Sequence, residues 1–514
     1  DAADGARRIV EFRQMVMALH QAGLRVGMDV VYNHTSASGQ SDKAVLDRIV
    51  PGYYHRLDAG GSIERSTCCE NTATENLMMG KLMIDSVVTW ATQYRIDSFR
   101  FDLMAHQPRA VMEELRRVVN RAAGREVQLI GEGWNFGEVA NDARFAQARQ
   151  GGLNGTAIGS FGDALRDAVR GGGCCDSGAQ LVSNQGWING LYYDPNPSAG
   201  TRPLNDLRWY GDLIKGALAG SIADYTITTH WDATLQLKDL GGVGYATQPA
   251  EVVNYVENHD NLSLFDVNAM KLPVTTSRAD RARVQLLGAA IVALSQGTAY
   301  FHAGVDTLRS KSLDRNSYDS GDWFNAYDPT GATHNFGVGL PRAADNGDSW
   351  SLMRPFLADG SLKIGIGTQV VVLCIGIAVG AGAVATSDMR RLVPGCLDAE
   401  QHPRQVIVDR VELGGAHHLR HPRARQIDVD DLDDPAGPSG STLAHLLSHA
   451  SGLAYDTREV EAPPGEQRIY SSAGFEVASE VVAEATGIEF GRYLSEAVCA
   501  PLEMSSTTLY GPAG

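Results

Sequence analysis

Four short acidic segments, each placed where an apolar run stops, constrain this chain more than any other feature. They are DVVYNH at 29–34, DSFRFDLMAH at 97–106, GEGWNF at 131–136 and VENHD at 256–260. Between them, helix-spaced stretches alternate with short apolar runs. Ile9 to Gln21 puts Phe12, Val16 and Leu19 on one helical face, Gly23 closes it, and Leu24 to Val31 reads as a strand. The cycle recurs: Met79 to Tyr94 is a predicted helix before the strand Ser98 to Leu103, and Ala110 to Ala123 a helix before Val127 to Glu132. Val252 to Val256 and Thr298 to His302 are later predicted strands. Such alternation predicts a parallel sheet wrapped by helices. In a (β/α) barrel all strand C-termini open on one face, so residues just past them converge despite wide separation in sequence.

The residues at those ends suit glycoside hydrolysis. That reaction needs one carboxyl group to protonate the leaving oxygen and a second to attack the anomeric carbon. Arg100 and Asp102 stand two apart on a strand and share a face. A guanidinium there favours the ionised form of Asp102 and suits it to nucleophilic attack. Glu132 ends an apolar strand between Gly131 and Gly133, beside Trp134. Desolvation in that setting raises a carboxyl pKa and suits Glu132 to acid work. Asp260 is placed to bind sugar hydroxyls and steady the distorted ring, with His34 and His259 donating hydrogen bonds in the same subsite. Taken singly, each acid reads as a surface group and each histidine as structural; four segments in order on strand ends favour the catalytic reading.

These segments resemble the four signature regions of the α-amylase clan, the family 13 glycoside hydrolases. The flanking runs STCCENTATENLMMGKLMIDSV at 66–87, VNYVENHDNLSLFD at 253–266 and LRSKSLDRNSYDSGDWFN at 308–325 are similar to those of the pullulanase-type α-1,6-debranching branch. The resemblance implies a barrel of eight strands, retention of configuration and hydrolysis of α-1,6 branch links in pullulan, amylopectin or glycogen-derived dextrins. It implies Asp102 as nucleophile, Glu132 as acid/base and Asp260 as transition-state stabiliser, with Asp29, Asn33, His34, Arg100 and His259 binding substrate. No cofactor is required, while a bound calcium ion is compatible with the family; no metal ligands are assigned. Ser98 and Ala105 stand where the family usually has glycine. The first signature region, which normally falls on the third strand, begins at residue 29. The expected fold is therefore α/β, a (β/α)8 TIM-type barrel lacking its first strands over 1–363, and such a gap leaves unpaired edges. The β-sandwich usual after the barrel is not expected, since the resemblance fades after 345–363.

A different regime follows. Ile364 to Thr386 is 23 residues without a charge, and roughly 18 to 25 such residues suffice to span a bilayer as a helix. A buried, Gly-rich junction over 364–405 is favoured over a membrane span. From 406 to 514 the sequence resembles β-lactamase-like serine hydrolases through LAHLLSHASGL at 443–453, PGEQRIYSSAGFEVASEVVAEATG at 464–487 and PLEMSSTT at 501–508. This predicts a partial α+β segment. The chemistry of that family needs an S-x-x-K nucleophile and a Tyr-x-Asn. The nearest form, Ser387 to Arg390, ends in an arginine that cannot act as a base, and Tyr470-Ser471-Ser472 has Ser where Asn is needed. An inactive segment is expected.

The formal charge of −17 argues against a nucleic-acid partner, because neutralising phosphates needs surplus Lys and Arg. An α-glucan partner fits. The seven cysteines include two adjacent pairs, Cys68-Cys69 and Cys174-Cys175, without zinc-site spacing, and leave the redox compartment open, as the sequence leaves oligomeric state open. The first residues lack a signal-peptide pattern and read as the run-up to a helix. Three readings compete: a debranching glycosidase, an inactive carbohydrate-binding fragment, and a serine hydrolase acting through the C-terminal part.

Overall fold

The computed structural model describes residues 4–328 and 333–363, the strand 407–409, and scattered positions between 453 and 492. The chain divides into two compact units, Asp1–Glu412 and Leu413–Gly514. The uncharged stretch 364–386, Ser387 to Arg390 and Tyr470 lie outside the described residues. No described helix is long and apolar enough to cross a membrane.

The first unit is built on one parallel sheet. Its strands are Gly27–Val30, Ser98–Phe101, Gln128–Gly131, Gly159–Phe161, Val252–Asn254, Thr298–His302 and Ile407–Asp409, adjacent in that order. Every neighbouring pair runs parallel. Among the described residues the sheet is curled and has two ends, a half-barrel rather than the eight strands that the resemblance implies. Among the described residues Gly27–Val30 is one end strand, and at the opposite end Ile407–Asp409 adds beside Thr298–His302, with Tyr300 level with Ile407. That addition was not anticipated.

The local reasons for these elements are plain in the sequence. Asp4 starts the helix Gly5–Gln21 by accepting hydrogen bonds from the backbone N–H groups of Ala6 and Arg7. One face of this helix packs Phe12 against Trp90 and Tyr94, each at 5.7 Å between ring centres. The helix Leu77–Gln93 follows, burying Met83, Val87 and Ala91. The helix Arg109–Ala123 buries Met112, Leu115 and Val119 at spacings of three and four, and stops at Gly124, whose φ of +66° suits a glycine cap. The strands between them carry Phe99, Phe101, Leu129 and Ile130, all buried, as expected of a parallel sheet covered on both faces. This core fixes the ends of Ser98–Phe101 and Gln128–Gly131 side by side, with Phe101 level with Gly131. The next residues, Asp102 and Glu132, therefore leave the sheet at the same height.

In the second unit the described residues include a bridge of Leu453 with Val460 and an ion pair of Arg458 with Glu480 at 2.6 Å.

Candidate active site

Arg100 is the hub on which the predicted carboxylates assemble. Its guanidinium is buried, with 6% of the side chain exposed, and one terminal nitrogen, Nη1, donates to both oxygens of Asp29 at 2.9 and 3.1 Å and to Asp102 Oδ1 at 3.2 Å. The other, Nη2, lies 2.8 Å from Glu132 Oε1 and 4.0 Å from Asp260 Oδ2. Burial alone would lower the pKa of Arg100; the charges of Glu132, Asp29 and Asp102 overcome this and hold it above the ordinary arginine value. Three strand ends and the loop after a fourth thus bring Asp29, Asp102, Glu132 and Asp260 around one cation.

The carboxylates are not equivalent. Glu132 is buried, and burial raises its pKa; Arg100 lowers it, and the neighbouring charges of Asp102 and Asp260 raise it again, for a net rise. Asp102 keeps 22% of its side chain exposed and Asp260 48%. Asn33 donates from Nδ2 to Asp102 Oδ2 at 3.1 Å, and the same nitrogen lies 2.9 Å from Nδ1 of His34. Burial lowers the pKa of His34 against the opposing pull of Asp102. His259 lies against Asp260, with Nε2 3.5 Å from Oδ2. All eight residues singled out in the sequence lie in this one cluster or touch a member of it.

Local backbone makes room for Glu132. A Cβ on Gly131 would lie 2.7 Å from the carbonyl oxygen of Phe101, and one on Gly133 would lie 2.6 Å from the backbone nitrogen of Gln150. Neither position has room for a side chain. Leu103, in the left-handed region at φ +40°, turns its N–H toward Glu132 and donates to Oε2 at 2.9 Å. Ala105, at a family glycine position, is fully buried and donates its N–H to the Glu132 carbonyl at 3.0 Å. Ser98 is buried in its strand.

The site opens into a cleft of about 2250 Å³. Asp102, Glu132, Trp134, Phe136, Tyr255 and Asp260 line it, and so do both cysteine pairs. Its lining also includes Met15, Leu19 and Leu24, apolar residues of the first helix and the turn after it.

Sequence reasoning missed the support beneath this cleft. Arg56, with 2% of its side chain exposed, pairs with Glu75 at 2.8 Å and Glu138 at 2.7 Å, and donates to the carbonyl of His106 at 2.9 Å. Glu138 also accepts from Ser66 and from Asn71 Nδ2 at 3.0 Å. The cluster ties the loop after Glu132 to the segment 66–71, where Cys68 and Cys69 are bonded to one another. Cys68 Sγ stands 3.4 Å from Nε2 of His34. No local signal marks these partners, because they come from separate loops.

A parallel αβ sheet with carboxylates gathered at its C-terminal ends is the arrangement of an α-amylase-type fold. The comparisons with known proteins narrow it. Residues 331–368 match the family of "Alpha-1,6-glucosidases, pullulanase-type, C-terminal", a match beginning inside the region read as barrel, and residues 416–514 match the family "Beta-lactamase". The chain is 44% identical over 376 residues to chloroplastic pullulanase 1 of Arabidopsis thaliana, covering 70% of this chain and 38% of that protein. It is 43% identical over 358 residues to pullulanase of Klebsiella pneumoniae, covering 68% and 32%. The crystal structure of PulA from Klebsiella oxytoca superimposes with a TM-score of 0.69 at 39% identity, over 74% of this chain and 36% of that one. A maltotriose complex of Klebsiella pneumoniae pullulanase gives 0.68 at 39%, over 73% and 36%. The N-terminal part of the chain is thus similar to pullulanases, and the chain spans about a third of the length of these relatives.

Proposed function

We propose that this protein hydrolyses α-1,6-glucosidic branch linkages of α-glucans such as pullulan, amylopectin or glycogen-derived dextrins, by a retaining double displacement. The observation that carries the reading is the shared contact of Arg100 with Asp102 and Glu132, one carboxylate on each terminal nitrogen. Asp102, more exposed and held by Arg100 and Asn33, attacks the anomeric carbon. Glu132, with its raised pKa, gives its proton to the departing glycosidic oxygen. The carboxylate left on Glu132 then takes a proton from water, and that water releases the sugar from Asp102. Asp260, beside His259, holds ring hydroxyls and opposes the positive charge of the oxocarbenium-like transition state. Asp29, Asn33 and His34 complete the same subsite.

No step is routed through a metal. Among the described residues one group of His, Cys, Asp or Glu side chains has metal-ligand spacing, His34 with Cys68 and Cys69. These are one imidazole nitrogen and two sulfurs joined in a disulfide, and do not make the oxygen cage that calcium requires.

The test is release of reducing sugar from pullulan, with retention followed by NMR. The reading expects release by the wild-type chain and its loss in Asp102→Asn and Glu132→Gln. Glucan binding without release by the wild type would overturn it in favour of an inactive carbohydrate-binding protein. Acylation by a penicillin-like probe would assign activity to the C-terminal part instead.

A further inference from the structure

Cys174 and Cys175 stand on the rim of the cleft, on the loop that follows the helix Asp163–Arg170. Both are exposed free thiols, and their sulfur atoms lie 2.7 Å apart. We propose that Cys174–Cys175 is a modification site, a dithiol that a low-molecular-weight disulfide closes reversibly into a vicinal disulfide.

Three observations support this. First, the backbone beneath the pair is held. Lys271, buried, donates from Nζ to the carbonyl of Gly171 at 2.6 Å, and Asp176 accepts from Asn184 Nδ2 at 3.0 Å, so the segment is fixed on both sides of the cysteines. Second, the turn that presents them has the backbone it needs: Gly171 and Gly172 lie at φ +78° and +72°, and a Cβ on Gly171 would fall 2.2 Å from the carbonyl oxygen of Asn184. The held turn therefore keeps the two sulfurs within reach of one another. Third, the same cleft already holds one closed pair of adjacent cysteines, Cys68 with Cys69.

The chemistry balances. The Cys175 thiolate attacks one sulfur of the external disulfide and expels the first external thiol, leaving a mixed disulfide. Cys174, whose pKa is pushed up to about 11 first by burial and then by the adjacent thiol, enters second. It gives its proton to solvent and attacks the Cys175 sulfur, and the second external thiol departs. Two protein thiols and one external disulfide become one protein disulfide and two external thiols.

The experiment uses oxidised glutathione as the probe on the full chain, followed by maleimide blocking, tryptic digestion and mass measurement of the peptide that begins at Gly171, in which Cys174 and Cys175 are the only cysteines. The expected result is a wild-type peptide about 2 Da lighter than the reduced form, free of maleimide and glutathione. In Cys174→Ser the same treatment should leave glutathione on Cys175, since no second thiol is there to expel it. A wild-type peptide carrying two maleimides, a lasting glutathione adduct, or a cross-link to Cys374, Cys396 or Cys499 would overturn the proposal. The readout is a mass, so it stands apart from whether pullulan is cleaved.

Discussion

The backbone N–H of Leu103 donates to Glu132 Oε2 at 2.9 Å, from a residue held at φ +40° one position after Asp102. The residue that follows the proposed nucleophile thus orients the proposed acid. Asp102 and Glu132 are thus coupled through backbone, and a change at either end of this turn is expected to move both.

Glu132→Gln should abolish pullulan cleavage and at the same time stabilise the fold at neutral pH. Glutamine keeps an oxygen for the Leu103 N–H and removes a charge that burial disfavours. Because the folded pKa of Glu132 lies above its ordinary 4.5, its ionisation costs stability that is absent below that value and is fully felt once pH has risen through the folded pKa. Calorimetry at pH 7 should show a higher Tm for the variant, with the difference vanishing below pH 4.5. A lower Tm at pH 7 would show that the carboxylate is held in net favourable contact with Arg100.

Acid should loosen the loop beneath the cleft in two stages. His106 is lowered from 6.5 to about 4, by burial first, so its contribution is full above pH 6.5 and is lost as pH falls through about 4. Glu138 is lowered to about 2: burial would raise it, but hydrogen bonds from Ser66, Arg56 and Asn71 prevail. Its contribution is full above 4.5 and is lost as pH falls through about 2. Glu138→Gln should cost about 3 kcal/mol at pH 7, the scale for breaking a buried ion pair by removing one partner. Urea titrations at pH 7 and pH 3 should show that penalty shrink at the lower pH.

The parts of this structure legible in the sequence are those governed by local periodicity. The helix predicted at Ile9 to Gln21 is Gly5–Gln21, and the strand Thr298–His302 falls where its apolar run places it. Strand ends followed directly, and with them the grouping of Asp29, Asp102 and Glu132, since parallel neighbours in register deliver their next residues together. What escaped is long-range. Arg56 meets Glu138 from 82 residues away, and neither lies in a periodic segment. The left-handed turn at Leu103 carries no glycine or asparagine to announce it. Ile407–Asp409 joins the sheet across more than a hundred residues, a pairing that short-range pattern does not specify.

Lys311 carries a prediction for the loop that presents Asp260. It is fully buried and donates from Nζ to the His259 carbonyl at 2.6 Å, while its own N–H donates to Asp266 Oδ2 at 2.8 Å. Burial lowers its pKa to about 8 against the charges of Asp266, Asp260 and Asp314. Lys311→Met removes the tether and should cut kcat on pullulan by about tenfold or more, since displacement of a catalytic group by a fraction of an ångström suffices for that. Steady-state kinetics with circular dichroism as a fold control would check it; unchanged kcat in a folded variant would show that the loop holds without Lys311.

Gly131→Ala tests whether the close approach of strand ends sets the position of Glu132. The added Cβ would lie 2.7 Å from both the Phe101 carbonyl oxygen and the Met104 Cβ, and 2.8 Å from the Met104 sulfur. The sulfur can swing aside; the carbonyl and the Cβ cannot without moving the backbone on either side of Asp102. Overpacking of this kind costs about 1–3 kcal/mol, and the strain is relieved most readily by parting Gln128–Gly131 from Ser98–Phe101 at their C-terminal ends. That parting would lengthen the Leu103 to Glu132 hydrogen bond. The variant should therefore lose both Tm and kcat, whereas Ala105→Gly, which restores the usual family residue at a site with no such clash, should leave kcat near the wild-type value. Equal loss of kcat in the two variants would show that activity at this turn follows flexibility rather than the spacing of the two strands.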